Sequence, residues 1–214
     1  MHPLWKTITA DTLSDAQLAQ LDAYLDRLIE KNKVLNLTRI TDRADAEIKH
    51  VADALTLLRH LPPPSPKRPV TLADVGTGGG VPGVILAIAR PDLAVTLIDS
   101  TKKKLDAVAE MAAAVGVTNV QTFHARIETV KLTYDVITVR AVADLATLVE
   151  WCRGRLAPTG ILLAMKGPKA ADEIAAAAAV LKRAKLTATL GPVDVPELAG
   201  HAVVLVEQKR RSAV

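Results

Sequence analysis

The chain has 214 residues, half of them hydrophobic, with 27 Lys and Arg against 23 Asp and Glu and a formal net charge of +4. That much apolar sequence supports one compact core and excludes intrinsic disorder, while apolar runs such as Ala175–Leu181 fall short of the roughly 18 residues that span a bilayer. A single cysteine excludes a disulfide framework or a Cys-rich zinc site, five scattered histidines give no metal-ligand spacing, and one Phe, two Tyr and two Trp are too few for the stacking platforms of single-strand binders.

In chain order, the first ten residues lack a cationic start followed by an apolar stretch, so the expected location is cytoplasmic. Ser14-Asp15-Ala16-Gln17 reads as a capping box, and Leu18, Leu21, Leu25 and Leu28 at helical spacing predict a helix to about Lys31. A second periodic segment carries Ile48, Val51, Leu55 and Leu58, with His50 and Asp53 on another face, and stops before Pro62-Pro63-Pro64-Ser65-Pro66. The proline run divides a helical extension, 1–66, from a core, 67–214. From Val70 onward short β-branched runs alternate with helical segments, which predicts seven strands near 70–74, 94–99, 119–124, 134–139, 160–166, 185–190 and 202–208. Helices are expected over 101–115 and 170–184, giving an α/β, Rossmann-like, mostly parallel sheet with helices on both faces. Basic residues gather at Arg27–Lys49, Lys102–Lys104, Lys182–Lys185 and Lys209–Arg211; each run is either a solvated face or a phosphate contact.

The most informative stretch is Asp74-Val75-Gly76-Thr77-Gly78-Gly79-Gly80-Val81-Pro82-Gly83, between the first strand and an apolar helix. Glycines here let a ligand approach backbone N–H groups at the helix mouth, which makes Gly76, Gly78, Gly80 and Val81 candidate cofactor contacts. The second strand ends at Asp99, where a carboxylate can accept from both hydroxyls of an adenosine ribose. NAD and S-adenosylmethionine both suit that pattern. Asp74 favours the second, because a carboxylate at the head of the loop repels a pyrophosphate and attracts an ammonium and a sulfonium. The alternatives stay open: Asp74 as a turn residue with tightly packed glycines, and Asp99 as a helix N-cap. Ile127-Glu128 follows the third strand at the edge where an adenine would lie.

Val139-Arg140-Ala141 follows the fourth strand. There is no Asn/Asp-Pro-Pro-aromatic turn for exocyclic amines, and Cys152, inside Trp151-Cys152-Arg153 on a predicted helix, reads as a small buried hydrophobe rather than the thiolate that pyrimidine C5 chemistry requires. Hydroxyl methylation needs a general base, for which Lys166 is the candidate. A ring nitrogen such as guanine N7 already has its lone pair and needs alignment alone. Arg140 would then hold guanine O6 or a phosphate, and Lys166-Gly167 the RNA backbone; the competing readings are an Arg140–Asp144 surface ion pair and a solvated Lys166.

Asn36-Leu37-Thr38, His50 with Asp53-Ala54-Leu55, Asp74 to Gly83, Asp99-Ser100, Arg140-Ala141 and Lys166-Gly167 together resemble the bacterial 16S rRNA guanine-N7 methyltransferases of the RsmG or GidB family, over nearly the whole chain. The resemblance implies a class I methyltransferase with an N-terminal helical extension. It implies S-adenosylmethionine as donor, S-adenosylhomocysteine as product, and guanine 527 in the 530 loop of the small ribosomal subunit as acceptor. It places donor contacts on Gly76, Val81, Ile127, Glu128 and Arg140; the ribose role of Asp99 and the place of Arg140 and Lys166 at the reacting edge come from the fold. Arg39, Lys49 and His50 are expected to face RNA, with a structural rather than catalytic His50 as the competing reading. Val139 and Ala54 stand where the family usually has Ser, and Gly79 occupies a variable loop position. The expected partner is 16S rRNA, with no membrane, no metal and a monomeric chain. The rival readings are an NAD(P)-dependent oxidoreductase and a non-catalytic ribosome-assembly protein.

Overall fold

A computed structural model describes residues 3–209, so Arg210 and Arg211 of the terminal basic run lie outside the described residues. Helix α1 (Pro3–Ile8) leads to α2 (Asp15–Leu35), whose Ser14 cap closes the expected box with Gln17. The α2 helix runs past Lys31 to Leu35, because its end is set by Asn36 in the left-handed region at φ 48° rather than by the last leucine of the stripe.

Next comes one helical stretch of changing pitch. It begins as α3 (Arg43–Ala46), widens into a π segment (Glu47–Ala52), returns to α4 (Asp53–Leu55) and tightens to a 3₁₀ turn (Thr56–His60). The proline-rich connection leads into a seven-stranded sheet of order β3-β2-β1-β4-β5-β7-β6. Its strands are β1 (Val70–Val75), β2 (Leu93–Asp99), β3 (Val120–His124), β4 (Tyr134–Arg140), β5 (Leu156–Lys166), β6 (Leu186–Gly191) and β7 (Ala202–Gln208). All pairings are parallel except those of β7, which runs antiparallel to β5 and β6. The expected strand count and sheet type are borne out.

Helices α5 (Gly83–Ala89) and α6 (Lys102–Ala114) cover one face, and α7 (Leu145–Cys152), α8 (Ala170–Ala176) and α9 (Ala178–Ala184) cover the other. The helix expected over 170–184 is interrupted at Ala177, where ψ is −2°. An unbroken alanine run carries no signal for such a break. Every residue of α5 is buried, because α2 lies over it as an outer layer. Gln17 donates to the carbonyls of Ile88 and Ala89 at 2.8 and 3.2 Å, and Gln20 donates to Val115 at 2.9 Å. These amides satisfy carbonyls that the helix ends leave unpaired, so they fasten the extension as well as bury it. No helix among the described residues is long and apolar enough to cross a membrane.

Strand order reverses between β1 and β4. In an open parallel sheet the crevice at that switch point, beyond the carboxyl ends of the strands, is where ligands bind.

Candidate functional site

A cleft of about 1710 Å³ opens at this switch point. It is lined by the glycine loop, by the ends of β4 and β5, and by segments 36–41 and 49–53 of the helical extension. Of the residues expected at the site, it brings together Gly76, Gly78, Val81, Arg140 and Lys166. Gly76 and Gly78 hold φ of 68° and 53°, the left-handed region that favours glycine. A Cβ on Gly76 would strike Val142, which bends over it from beyond β4.

Asp74 is placed differently from the expectation. It is 1% exposed and lies behind the loop, accepting from Thr77 Oγ1 at 2.6 Å, Thr138 Oγ1 at 2.9 Å and Gly83 N at 3.1 Å. Its register opposite Thr138 on β4 creates this cage. Burial raises its pKa and the three donors oppose the rise, so its direct role is to shape the loop. Gly80 also leaves the cleft. It is buried with φ 78° beneath Tyr24 of α2, whose hydroxyl would overlap a Cβ there. Gly79, read as a variable position, is constrained too: its carbonyl accepts from Tyr24 Oη at 2.9 Å, and a Cβ would lie 2.7 Å from Leu28 Cδ1. Gly76, Gly78, Gly79 and Val81 line the cleft, while Gly79 and Gly80 also pack against α2.

Asp99 flanks the cleft. Its two oxygens accept from Gly78 N at 3.2 Å and Thr101 N at 2.8 Å, so it joins the loop to the start of α6. Each oxygen retains a lone pair for a hydroxyl. The Ile127 side chain is core, which limits its ligand contacts to the backbone, and Glu128 is exposed beside it, outside the cleft lining. Cys152 is fully buried and its thiol is pushed up to about 12, which makes it unreactive, as the sequence indicated.

The two expected catalytic cations differ in their surroundings. Arg140 is largely buried and makes no ion pair within 4.0 Å among the described residues, Asp144 included. Its Nη1 donates to the Lys49 carbonyl at 2.9 Å and meets His50 Nδ1 at 3.0 Å. Desolvation lowers its pKa, and the fields of Asp53 and Asp74 oppose that; it stays a cation. Lys166 is neither solvated nor free. Its side chain is 8% exposed, it pairs with Glu173 at 2.7 Å, and it donates to the Ala143 carbonyl at 2.6 Å. Glu173 also accepts from Leu145 N at 2.8 Å, so the pair clamps the turn between β4 and α7. Within that turn Ala141 is held at φ 54°.

His50, expected to face RNA, is 1% exposed and turned inward. Its Nε2 meets Thr38 Oγ1 at 2.9 Å, and burial with the Arg140 charge pushes its pKa down to about 3, so the ring is neutral. Lys49 is half-exposed and pairs with Asp45 at 2.9 Å, whereas Arg39 and Lys104 line the cleft without an ion pair among the described residues. Sequence reading missed Asn32, which brackets Thr38 by donating to its carbonyl and accepting from its N–H, and His201, which pairs with Asp53 at 3.0 Å. Asn32 continues the spacing of Leu18, Leu21, Leu25 and Leu28 as a polar residue on the buried stripe, whereas His201 carries no periodic signal, and only the tertiary fold brings them to the cleft.

Comparison with known proteins agrees with this architecture. The chain is 44% identical over 162 residues to the ribosomal RNA small subunit methyltransferase G of Psychrobacter arcticus, covering 76% of this chain and 66% of that protein. It is 43% identical over 177 residues to the protein of the same name from Sorangium cellulosum, covering 80% and 73%. Among solved structures, the ribosomal protein L11 methylase of Lactobacillus delbrueckii subsp. bulgaricus superposes with a TM-score of 0.57 at 17% identity, covering 76% of this chain and 79% of that one, which shows a shared class I methyltransferase fold. A family model described as GidB, rRNA small subunit methyltransferase G, matches residues 17–193, and the chain belongs to this family.

Proposed function

We propose that this rRNA small subunit methyltransferase uses S-adenosylmethionine to methylate N7 of guanine 527 in the 530 loop of 16S rRNA. The observation that carries the reading is Arg140. One nitrogen is anchored while Nε and Nη2, without partners among the described residues, remain open to a cleft floored by Gly76 and Gly78. The residues suit the donor: positive-φ glycines allow close backbone approach, and Asp99 keeps acceptor capacity at the end of β2.

S-adenosylmethionine, when bound, supplies an electrophilic methyl group on a sulfonium. Guanine N7 would form the new N–CH3 bond with its own lone pair as the S–CH3 bond breaks and S-adenosylhomocysteine leaves, so the chain would remove no proton. Arg140 donates to guanine O6 or a nearby phosphate and thereby orients the base. Lys166 keeps its partners and holds the wall of the cleft, which supports a ring nitrogen over a hydroxyl acceptor. Arg39 and Lys104 meet phosphates at the rim. Val139 and Ala54 leave this set of contacts unchanged. The same reading takes 1–66 as a helical extension on a core of 67–214, the enzyme as a cytoplasmic monomer, and Ile127-Glu128 as the backbone edge for adenine.

The test uses small subunits lacking the modification, incubated with purified protein and labelled S-adenosylmethionine, followed by mass mapping. Label on N7 in the 530 loop is expected, with RNA affinity falling steeply as salt rises. Donor binding without transfer would move the reading to a non-catalytic assembly protein, and nicotinamide binding would move it to an oxidoreductase.

A further inference from the structure

We propose that His50 is a positioning residue for methyl transfer: its Nδ1 acts as the acceptor that fixes the orientation of the Arg140 guanidinium, and Thr38 and Asn32 hold the imidazole in place from the helical extension. The inference rests on the role assigned to Arg140 above and adds the residues that set its angle.

His50 Nδ1 has two neighbours, Arg140 Nη1 at 3.0 Å and the Lys49 carbonyl at 3.3 Å, and the shorter contact is taken as the one that sets the tautomer. Arginine is donor-only, so the 3.0 Å contact requires an unprotonated Nδ1 on His50. The ring's proton then sits on Nε2 and is donated to Thr38 Oγ1 at 2.9 Å. Thr38 Oγ1 also accepts from Ile40 N at 3.1 Å, and the Thr38 backbone is held on both sides by Asn32 at 2.8 and 3.0 Å. Asn32 lies in the last turn of α2 and is 6% exposed, so the chain begins in packed helix and ends at the cleft.

A neutral acceptor suits this position better than a carboxylate. A guanidinium paired face to face with a carboxylate would have its donors and charge consumed, as Lys166 does with Glu173. With His50 and the Lys49 carbonyl both meeting Nη1, Arg140 retains its charge and two outward nitrogens. Both acceptors come from the π segment Glu47–Ala52, an irregularity of a kind often found at functional sites. The helical extension thereby acts on the reaction geometry without presenting His50 to RNA.

Two substitutions separate positioning from packing. His50→Asn keeps an acceptor at the δ1 position, whereas His50→Gln moves the amide outward toward Thr38 and removes it. On unmodified subunits, His50→Gln is expected to lower kcat at least tenfold with KM for subunits within about twofold, and His50→Asn to restore most of kcat. In an Arg140→Ala background, His50→Gln is expected to cause no further loss, because the residue it positions is gone. Nitrogen NMR of the wild type, which needs no activity, should show the Nε2–H tautomer at neutral pH. The proposal is overturned by an Nδ1–H tautomer, by equal losses in both His50 variants, by a His50→Gln enzyme with wild-type kcat, or by losses that multiply in the double variant. A wild-type protein that shows the expected tautomer but methylates nothing would instead overturn the assigned function.

Discussion

The ends of β4 and β5 each deliver a cation to the same cleft, and the two are held in opposite ways. Lys166 is neutralised by Glu173 and donates to the Ala143 carbonyl, whereas Arg140 is held by a carbonyl and an imidazole and has no carboxylate in contact among the described residues. A cation with a carboxylate partner is a structural fastener; one held by neutral acceptors keeps its charge for a ligand. Two basic residues that look equivalent in sequence therefore have different work.

The contrast between the two cations should show most strongly at Arg140. Arg140→Ala should reduce methyl transfer by on the order of a hundredfold or more, the usual scale for removing a preorganised donor, while the melting temperature stays within a few degrees. Single-turnover transfer with calorimetric donor binding checks it.

Lys166→Met should act first on stability. Removing one member of a mostly buried pair leaves Glu173 uncompensated, with a loss of about 1–3 kcal/mol after allowance for the partial exposure of Glu173. The double change Lys166→Met, Glu173→Leu should recover part of it in urea unfolding. Lost activity at unchanged stability, with a missing limb in the pH–rate profile, would make Lys166 a base and remove the contrast.

A similar effect is expected on the glycine run. Gly80→Ala collides with Tyr24 and adds a side chain at φ 78°, so a loss of about 2–4 kcal/mol is expected in urea unfolding, from overpacking and left-handed strain together.

The smaller effects are pH-dependent. His50 has its folded pKa pushed down to about 3, so the unfolded chain binds its proton first, and stability falls as pH drops below the unfolded value of about 6.5. Its share reaches roughly 3 kcal/mol by pH 4 and should be missing from the acid limb of His50→Asn. His201 has the opposite sign. Asp53 raises its folded pKa, so its contribution is complete below the unfolded value and disappears as pH rises through the folded one. The gap between wild type and His201→Gln should close as pH rises above the unfolded value of about 6.5, and it should stay under about 1 kcal/mol because the pair is partly solvated.

Periodicity and turn chemistry were sufficient for the seven strands, the α2 cap and the glycine loop between β1 and α5, because these depend on residues within a few positions of one another. They could not show where each loop residue faces. Asp74 reads as a ligand contact until β4 brings Thr138 beside it, and Gly80 does so until α2 brings Tyr24 over it.

Fold class, the place of the cleft and the set of residue types at its edge follow from pattern and local stereochemistry. Which members of that set keep a free valence depends on long-range packing. Hydrogen-bond partners such as His50 for Arg140 and Glu173 for Lys166 lie up to 90 positions away, and burial makes those partnerships the deciding influence on charge and orientation.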